Sequence, residues 1–213
     1  MGIWYHKKML LTIFSLIVLL FSIVIHEVAH GSVAYSLGDP TAKYSDRLTL
    51  NPLKHLDPFG SVILPLIMLI STGGRGPIFG WAKPVPVNPY NFRDQKWGEL
   101  KVSLAGPATN FLIGIIFGLF IRFFPLTEPL FTLFSFISIY NFLLAVFNLV
   151  PIPPLDGSHI LFSFLPESLS QIKIFLQQYG LFLLLLLLFF GLNWVYYIVQ
   201  ILFYFVVGQP ISI

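Results

Sequence analysis

The stretch MLLTIFSLIVLLFSIVIHEVAHGSVAYS, residues 9–36, decides the fold of this chain. Its first part, Met9 to Ile25, is almost wholly apolar, and nothing that ends a helix occurs before Gly38-Asp39-Pro40. About 20 apolar residues span a bilayer, so the pattern predicts one membrane helix over about residues 9–36. The apolar run exceeds the roughly 7–15 residues of a secretory signal and lacks a small-residue cleavage site. We therefore interpret it as a permanent span.

The composition of the chain indicates an integral membrane protein. Of its 213 residues, 56% are hydrophobic and 10% are charged, whereas a soluble domain has about 25% charged residues. The net charge of +3 comes from twelve Lys and Arg scattered between apolar segments, which is typical of membrane anchors and does not indicate nucleic-acid binding. Cysteine is absent, so a metal would need His, Asp or Glu ligands.

The remaining apolar segments predict an all-α polytopic membrane protein with about four full spans. Further spans are expected at about residues 98–124, 128–150 and 181–207, with an amphipathic interfacial helix at 170–180. Residues 61–72 are too few to cross the membrane, so we expect a re-entrant or short segment there. Residues 73–97 are rich in Gly and Pro, and their Lys83–Val87 part can be neither a helix interior nor a central strand. An edge strand or an extended, β-like loop is expected there.

One integral-membrane domain is expected over residues 1–213. Its core is predicted at about residues 9–165, followed by the interfacial helix and last span in 166–213. If the first helix starts outside, nine Lys and Arg lie on the inner side and three on the outer side. The positive-inside rule favours this orientation, although Lys7 and Lys8 oppose it.

The sequence His26-Glu27-x-x-His30 predicts a metal site with a neighbouring base. Histidines four residues apart share one helical face, and a carboxylate between them can activate water. A catalytic zinc needs a third protein ligand; no Glu occurs between Glu27 and Glu99, so the ligand must come from elsewhere. Asp156 is a lone acid at the edge of a span, which metal binding would explain. An ordinary Asp-Gly turn is the alternative interpretation.

Several separated motifs, in this order along the chain, resemble the site-2 protease family of intramembrane metalloproteases. They are the helix with His26-Glu27-Val28-Ala29-His30-Gly31, the stretch Leu104-Ala105-Gly106-Pro107-Ala108-Thr109-Asn110, and Asn148 eight residues before Asp156 in Pro-Pro-Leu-Asp-Gly. The resemblance covers about residues 15–165.

The resemblance implies a zinc peptidase that cuts within or near transmembrane segments of membrane proteins. It implies one Zn²⁺ per chain on His26, His30 and Asp156, with Glu27 as general base and acid and Asn148 near the reacting carbonyl. The family's extended membrane segment would correspond to residues 80–87. The PDZ and CBS domains of some members are not seen here, so we expect a bare catalytic core.

Secondary roles and competing functions stay open at this stage. Asn110 or Asn148 is expected to donate to the oxyanion, whereas His55 and His159 are weaker candidates for assistance. A non-catalytic binding protein with this fold and an ion transporter are the alternatives; intact Glu27 and the lack of an internal repeat disfavour them.

The expected partners are a transmembrane protein substrate and the lipid bilayer, without nucleic acid. The oligomeric state is not predicted. The expected location is a bacterial or archaeal plasma membrane, with the active site nearer the cytoplasm.

Overall fold

A computed structural model describes residues 2–71, 80, 82–95 and 97–211 of the chain. Its α-helices, in chain order, are α1 (Gly2–Ser36), α2 (Thr41–Tyr44), α3 (Leu64–Ser71), α4 (Gly98–Phe123), α5 (Glu128–Asn148), α6 (Asp156–Phe164), α7 (Ser170–Leu186) and α8 (Leu192–Val207). Two π-helical segments, Pro58–Ile63 and Leu187–Gly191, precede α3 and α8. Short 3₁₀ turns lie at Pro52–Lys54, Pro89–Asn91 and Glu167–Leu169.

The predicted helical class is confirmed. In the part of the chain that the structure describes, four helical stretches are long and apolar enough to cross a membrane: Lys8–Ser36, Gly98–Phe123, Glu128–Asn148 and Glu167–Val207. The described residues contain no strand, only an isolated antiparallel bridge between Leu56 and Ala82. Within the described residues, the segment expected to be short is helical over Pro58–Ser71, which is too short to cross the membrane.

The expected boundary between an interfacial helix and a last span is wrong. Helix α7 continues through Gly180 to Leu186, and the irregularity falls at the π-helical Leu187–Gly191 instead. A Cβ at Gly180 would lie 2.6 Å from the carbonyl oxygen of Pro153, so this glycine serves close packing. The continuous helical run Glu167–Val207 has 41 residues. At 1.5 Å per residue it is about 60 Å long, roughly twice a hydrocarbon core.

Helix α4 lies at the centre of the bundle, in contact with α1, α5, α6 and α8. Its glycines allow these close approaches. A Cβ on Gly114 would lie 2.7 Å from the Phe142 ring of α5, and one on Gly118 would lie 2.6 Å from Val206 of α8. This packing brings the inner faces of α1, α4 and α5 together.

An extended segment, residues 82–88, lies against the end of α1. The Lys83 N–H donates to the His55 carbonyl at 2.8 Å, and the Asn88 N–H donates to Asp39 Oδ2 at 2.7 Å. Helix α1 ends at Ser36, and Gly38, two residues later, has a φ of +109°, which is strained for other residues. The described part of this segment contains no strand, so the β-like, membrane-embedded character predicted for Lys83–Val87 stays a prediction. Residues 72–79, 81 and 96 of the predicted loop lie outside the described residues.

Asp39 joins the extended segment to the end of α1, and we expect Asp39→Ala to destabilise the fold. The carboxylate is fully buried and accepts hydrogen bonds from Asn88 N–H, the Asn91 side-chain amide at 2.8 Å, and Thr41. Each buried donor that loses its acceptor costs about 1–3 kcal/mol. Unfolding in detergent measures the loss. Glu167→Ala, which removes an exposed carboxylate, is the control and should leave the free energy of unfolding unchanged.

The same carboxylate makes stability depend on pH in the acid range. Burial alone would raise the pKa of Asp39, but the hydrogen bonds from Asn88, Thr41 and Asn91 outweigh it and lower the pKa below its ordinary 3.8. The stabilisation is therefore fully present above pH 3.8 and is lost as the pH falls through the folded-state pKa. Wild type should lose stability in this window, whereas Asp39→Ala should show a smaller loss.

Candidate metal centre

Two buried histidines of α1 form the first half of the centre. His26 and His30 lie one helical turn apart on the face toward α4, and their Nε2 atoms are 3.0 Å apart. The His30 Nδ1–H donates to the Val102 carbonyl of α4 at 2.7 Å. A carbonyl can only accept, so the lone pair of His30 is on Nε2. Helix α4 thus orients this ring toward the centre.

Asp156 completes a group of three possible metal ligands. Its Oδ2 lies 3.0 Å from His26 Nε2 and 3.3 Å from His30 Nε2. Asp156 begins α6, directly after the prolines that follow α5. A Cβ on Gly157 would lie 2.2 Å from the Leu149 carbonyl oxygen, so only glycine lets α6 begin so close to the end of α5. Asp156 and Gly157 are thus the first two residues of a helix and not an isolated Asp-Gly turn, and the start of α6 places the carboxylate beside the histidines.

The three ligand atoms fit a zinc ion. Asp156 Oδ2 is buried and has no hydrogen-bond donor among the described residues, and it faces the bare Nε2 of His30. Converging lone pairs repel one another unless a cation lies among them. Zinc bonds of about 2.0–2.2 Å at tetrahedral angles would separate ligand atoms by about 3.3–3.6 Å, close to the distances found here. Two imidazoles and a carboxylate are also a donor set of known catalytic zinc sites.

Gly106 of α4 leaves the space beside these ligand atoms open. A Cβ at this position would lie 2.5 Å from His30 Nε2 and 2.6 Å from His26 Nε2. Any side chain would therefore compete with the three ligand atoms for the same volume. The sequence showed Gly106 as part of the stretch Leu104–Asn110 that carries the family resemblance, and its steric role appears only in the fold.

Glu27 lies beside the metal ligands and faces a cavity. Its Oε2 accepts a hydrogen bond from the Val85 N–H of the extended segment at 2.7 Å. The cavity has a volume of about 330 Å³ and is lined by the three candidate ligands, by Glu27, and by parts of α4, α6 and the extended segment. Its other lining residues are Pro84, Val85, Val87, Pro89, Phe92, Glu99, Val102, Ser103, Asn148, Pro154 and His159. The cavity thus places open space next to the Glu27 carboxylate and the three candidate metal ligands.

The two candidate oxyanion donors, Asn110 and Asn148, differ in how many of their amide hydrogens already form hydrogen bonds. Asn110 donates both amide hydrogens, to the Ser22 carbonyl at 3.1 Å and to Asn141 Oδ1 at 2.8 Å. It therefore cannot also donate to an oxyanion. Asn148 lines the cavity and donates one amide hydrogen to the Leu144 carbonyl at 3.0 Å. Its second amide hydrogen makes no hydrogen bond among the described residues. The arrangement therefore excludes Asn110 as the oxyanion donor, and the role of Asn148 stays a prediction.

The two weaker histidine candidates lie in different surroundings. His55 is buried, with Nε2 2.9 Å from the Thr49 carbonyl, and does not line the cavity. It is neither exposed to solvent nor next to the candidate metal ligands, and its backbone carbonyl accepts a hydrogen bond from the Lys83 N–H. His159 does line the cavity, but its Nδ1 lies 3.0 Å from Glu99 Oε1 and it is not among the three ligands. The sequence did not single out Glu99.

Comparisons with known proteins agree with this chemistry. The model of "Peptidase family M50" matches residues 125–187. The chain is 40% identical over 183 residues to YwhC of Bacillus subtilis (82% of this chain, 79% of YwhC) and 32% identical over 171 residues to Rip2 of Mycolicibacterium smegmatis (79% and 64%). Both carry the name "Putative zinc metalloprotease". Zinc metalloprotease MJ0392 of Methanocaldococcus jannaschii is 29% identical over 196 residues (89% and 47%). No solved structure matches the chain.

Proposed function

Because this chain belongs to the M50 (site-2 protease) family of zinc metalloproteases, we propose that it hydrolyses peptide bonds within or near transmembrane segments of membrane-protein substrates. One observation carries the proposal. A buried group of His26, His30 and Asp156 meets Glu27 at a cavity, and both histidines and the glutamate lie on a helix long enough to span a membrane. The reaction centre would thus lie where a transmembrane substrate can reach it.

The division of labour follows from the position of each side chain. His26, His30 and Asp156 would hold one zinc ion per chain, which supplies Lewis acidity that activates water and polarises a peptide carbonyl. Glu27 accepts the proton of the attacking water and returns it to the leaving nitrogen. The free amide hydrogen of Asn148 donates to the carbonyl oxygen as negative charge develops on it. Glu27 Oε2 is bound by Val85, so its second oxygen takes the proton.

The extended segment is proposed to hold the substrate as an added strand. Alternate residues of an extended chain direct their backbone groups to opposite sides. The N–H groups of Lys83 and Val85 point toward His55 and Glu27, on one edge of the segment. The backbone carbonyls of Pro84 and Pro86 therefore lie on the opposite edge. Proline has a carbonyl but no N–H. This edge therefore only accepts hydrogen bonds, and the substrate must be locally unwound to donate its own N–H groups to it.

The proposed setting is a prokaryotic plasma membrane with the active site nearer the cytoplasmic side. Hydrolysis inside a bilayer needs water, which requires a polar cavity enclosed by helices. The distribution of Lys and Arg in the sequence favours the cytoplasmic side for that opening. We propose that residues 1–213 act as one membrane domain with a membrane-protein substrate.

Cleavage of a panel of single-span membrane proteins by the purified protein in detergent tests the proposal. We expect cleavage that stops with a zinc chelator and returns when zinc is added, and one zinc per chain by elemental analysis. Fragments should map to the transmembrane segment or its borders. A protein that holds one zinc but cuts no member of a broad panel would favour a non-catalytic binding protein. A protein that holds no zinc would contradict the site.

Removal of the backbone hydrogen bond to Glu27 should slow the reaction. Val85→Pro eliminates the N–H group, while the extended conformation between Pro84 and Pro86 tolerates another proline. Hydrogen bonds to charged groups contribute about 1.5–3 kcal/mol, so we expect turnover to fall on the order of tenfold or more, with zinc content unchanged. Val85→Ala keeps the N–H and is the matched control. Faster turnover in Val85→Pro would mean that the segment restrains Glu27 rather than orients it.

A further inference from the structure

A chain of buried amides runs from the metal centre into the core of the bundle. His26 Nδ1 lies 2.6 Å from Asn110 Oδ1 of α4, and Asn110 Nδ2 lies 2.8 Å from Asn141 Oδ1 of α5. Both asparagines are at most 1% exposed. Asn141 does not line the cavity and cannot contact substrate there. Side-chain amides buried this deeply need a structural or chemical reason.

Two backbone carbonyls fix the direction of every hydrogen bond in this chain. Asn141 Nδ2 lies 2.9 Å from the Ile137 carbonyl, which can only accept, so the amide group of Asn141 points there and its Oδ1 points to Asn110. Asn110 Nδ2 in turn lies 3.1 Å from the Ser22 carbonyl. The Oδ1 of Asn110 is thereby left facing His26.

The consequence reaches the nitrogen that would bind the metal. Asn110 Oδ1 can only accept, so His26 Nδ1 carries the ring proton and Nε2 presents its lone pair to Asp156. The opposite tautomer would place an N–H at Nε2, where a ligand lone pair is required. The Val102 carbonyl fixes the same tautomer in His30. His26 has no backbone carbonyl in this role, and the two asparagines replace it.

We propose that Asn141, acting through Asn110, is a positioning residue that sets the tautomer and orientation of His26 for metal binding. The proposal rests on the proposed zinc site. It extends that site across three helices, since the Asn141 amide also donates to Ser22 Oγ of α1 at 2.9 Å. Each amide hydrogen of both asparagines has an acceptor, so the network is fully satisfied and rigid.

Zinc affinity of the full-length protein in detergent, measured by competition with a chelating dye, tests the proposal. Groups that orient metal ligands change affinity by about 10–100-fold when removed. We expect Asn110→Leu to lose affinity in that range and Asn141→Leu to lose a substantial part of it. Because both act through His26, the double variant should lose no more than Asn110→Leu alone. Independent packing effects would instead add.

A second measurement reads the tautomer directly, without metal and without activity. In zinc-free protein labelled with ¹⁵N-histidine, the ring shifts of His26 should indicate a proton on Nδ1 in wild type. In Asn141→Leu they should indicate a mixture of tautomers. Ser135→Ala on α5 is the matched control, because Ser135 Oγ is buried without a partner among the described residues. It should change neither the affinity nor the shifts.

The outcomes separate this proposal from the zinc site itself. A wild type without zinc contradicts the proposed function. A wild type that binds zinc, together with an Asn141→Leu variant of unchanged affinity and unchanged His26 shifts, contradicts the positioning role alone. If Asn141→Leu does not fold, Asn141→Ala removes the same amide without adding an apolar branch. The zinc affinity and the His26 tautomer of that variant then test the positioning role.

Discussion

The Glu27→Gln variant is expected to retain its zinc and lose its peptidase activity. Glutamine has nearly the same shape and keeps an oxygen that can accept from the Val85 N–H, so the extended segment should stay in place. It cannot accept the proton of the attacking water at neutral pH. General base catalysis contributes about 10²–10⁴-fold, and we expect a loss of that size in the cleavage rate, with one zinc per chain by elemental analysis.

A second carboxylate in the same cavity provides the control for this variant. Glu99 lines the cavity and pairs with His159 at 3.0 Å, with about half of each side chain exposed. Exposed pairs contribute about 0–1 kcal/mol, so Glu99→Gln should change the rate by no more than a few-fold. Equal losses in both variants would indicate a general effect of charge in the cavity. A Glu27→Gln variant that cuts at the wild-type rate would contradict the assignment of the base.

The parts of the structure that the sequence predicts best are those that depend on near neighbours. Helix α1 and the spacing of His26 and His30 are local properties of one segment, so their shared face follows from helical geometry. The prolines after α5 predict the end of that helix in the same way. Asp156 was proposed by exclusion among the acids, and the fold brings it to within 3.3 Å of both histidines.

The parts that the sequence could not predict depend on contacts between distant segments. Asp39 stands out in the sequence only as part of Gly38-Asp39-Pro40 after the first helix, yet it is buried and accepts a hydrogen bond from the backbone of Asn88, 49 residues away. Gly180 looked like the end of an interfacial helix, but it lies within a continuous helix and allows the approach of Pro153. A glycine in a helix costs only about 1 kcal/mol, so packing decides whether the helix continues there.

The roles of two asparagines on the membrane helices also differ for this reason. Asn110 and Asn148 are both asparagines on membrane helices, and the sequence offered both as oxyanion donors. Only the fold reveals which hydrogens are already donated: both of Asn110 and one of Asn148. The hydrogen bonds of these amides depend on how α1, α4 and α5 lie relative to one another, and a local sequence pattern does not predict that arrangement.

The Gly106→Val variant is expected to lose zinc while the helices remain assembled. A Cβ at this position would lie 2.5 Å from His30 Nε2 and 2.6 Å from both Nε2 and Cε1 of His26. The two rings would have to turn away from Asp156, which separates the three ligand atoms. Removal of an orienting neighbour costs about 10–100-fold in metal affinity, and displacement of two ligands should exceed the upper end of that range. Overpacking should cost about 1–3 kcal/mol in stability.

Zinc competition and thermal unfolding of the zinc-free protein in detergent separate these two effects. Ala108→Val adds bulk to an exposed position of the same helix and should leave zinc affinity unchanged. Gly106→Ala is the milder variant and should fall between wild type and Gly106→Val in affinity, because its single methyl group already enters the space of the ligands. Wild-type zinc affinity in a folded Gly106→Val protein would mean that the metal lies elsewhere than among His26, His30 and Asp156.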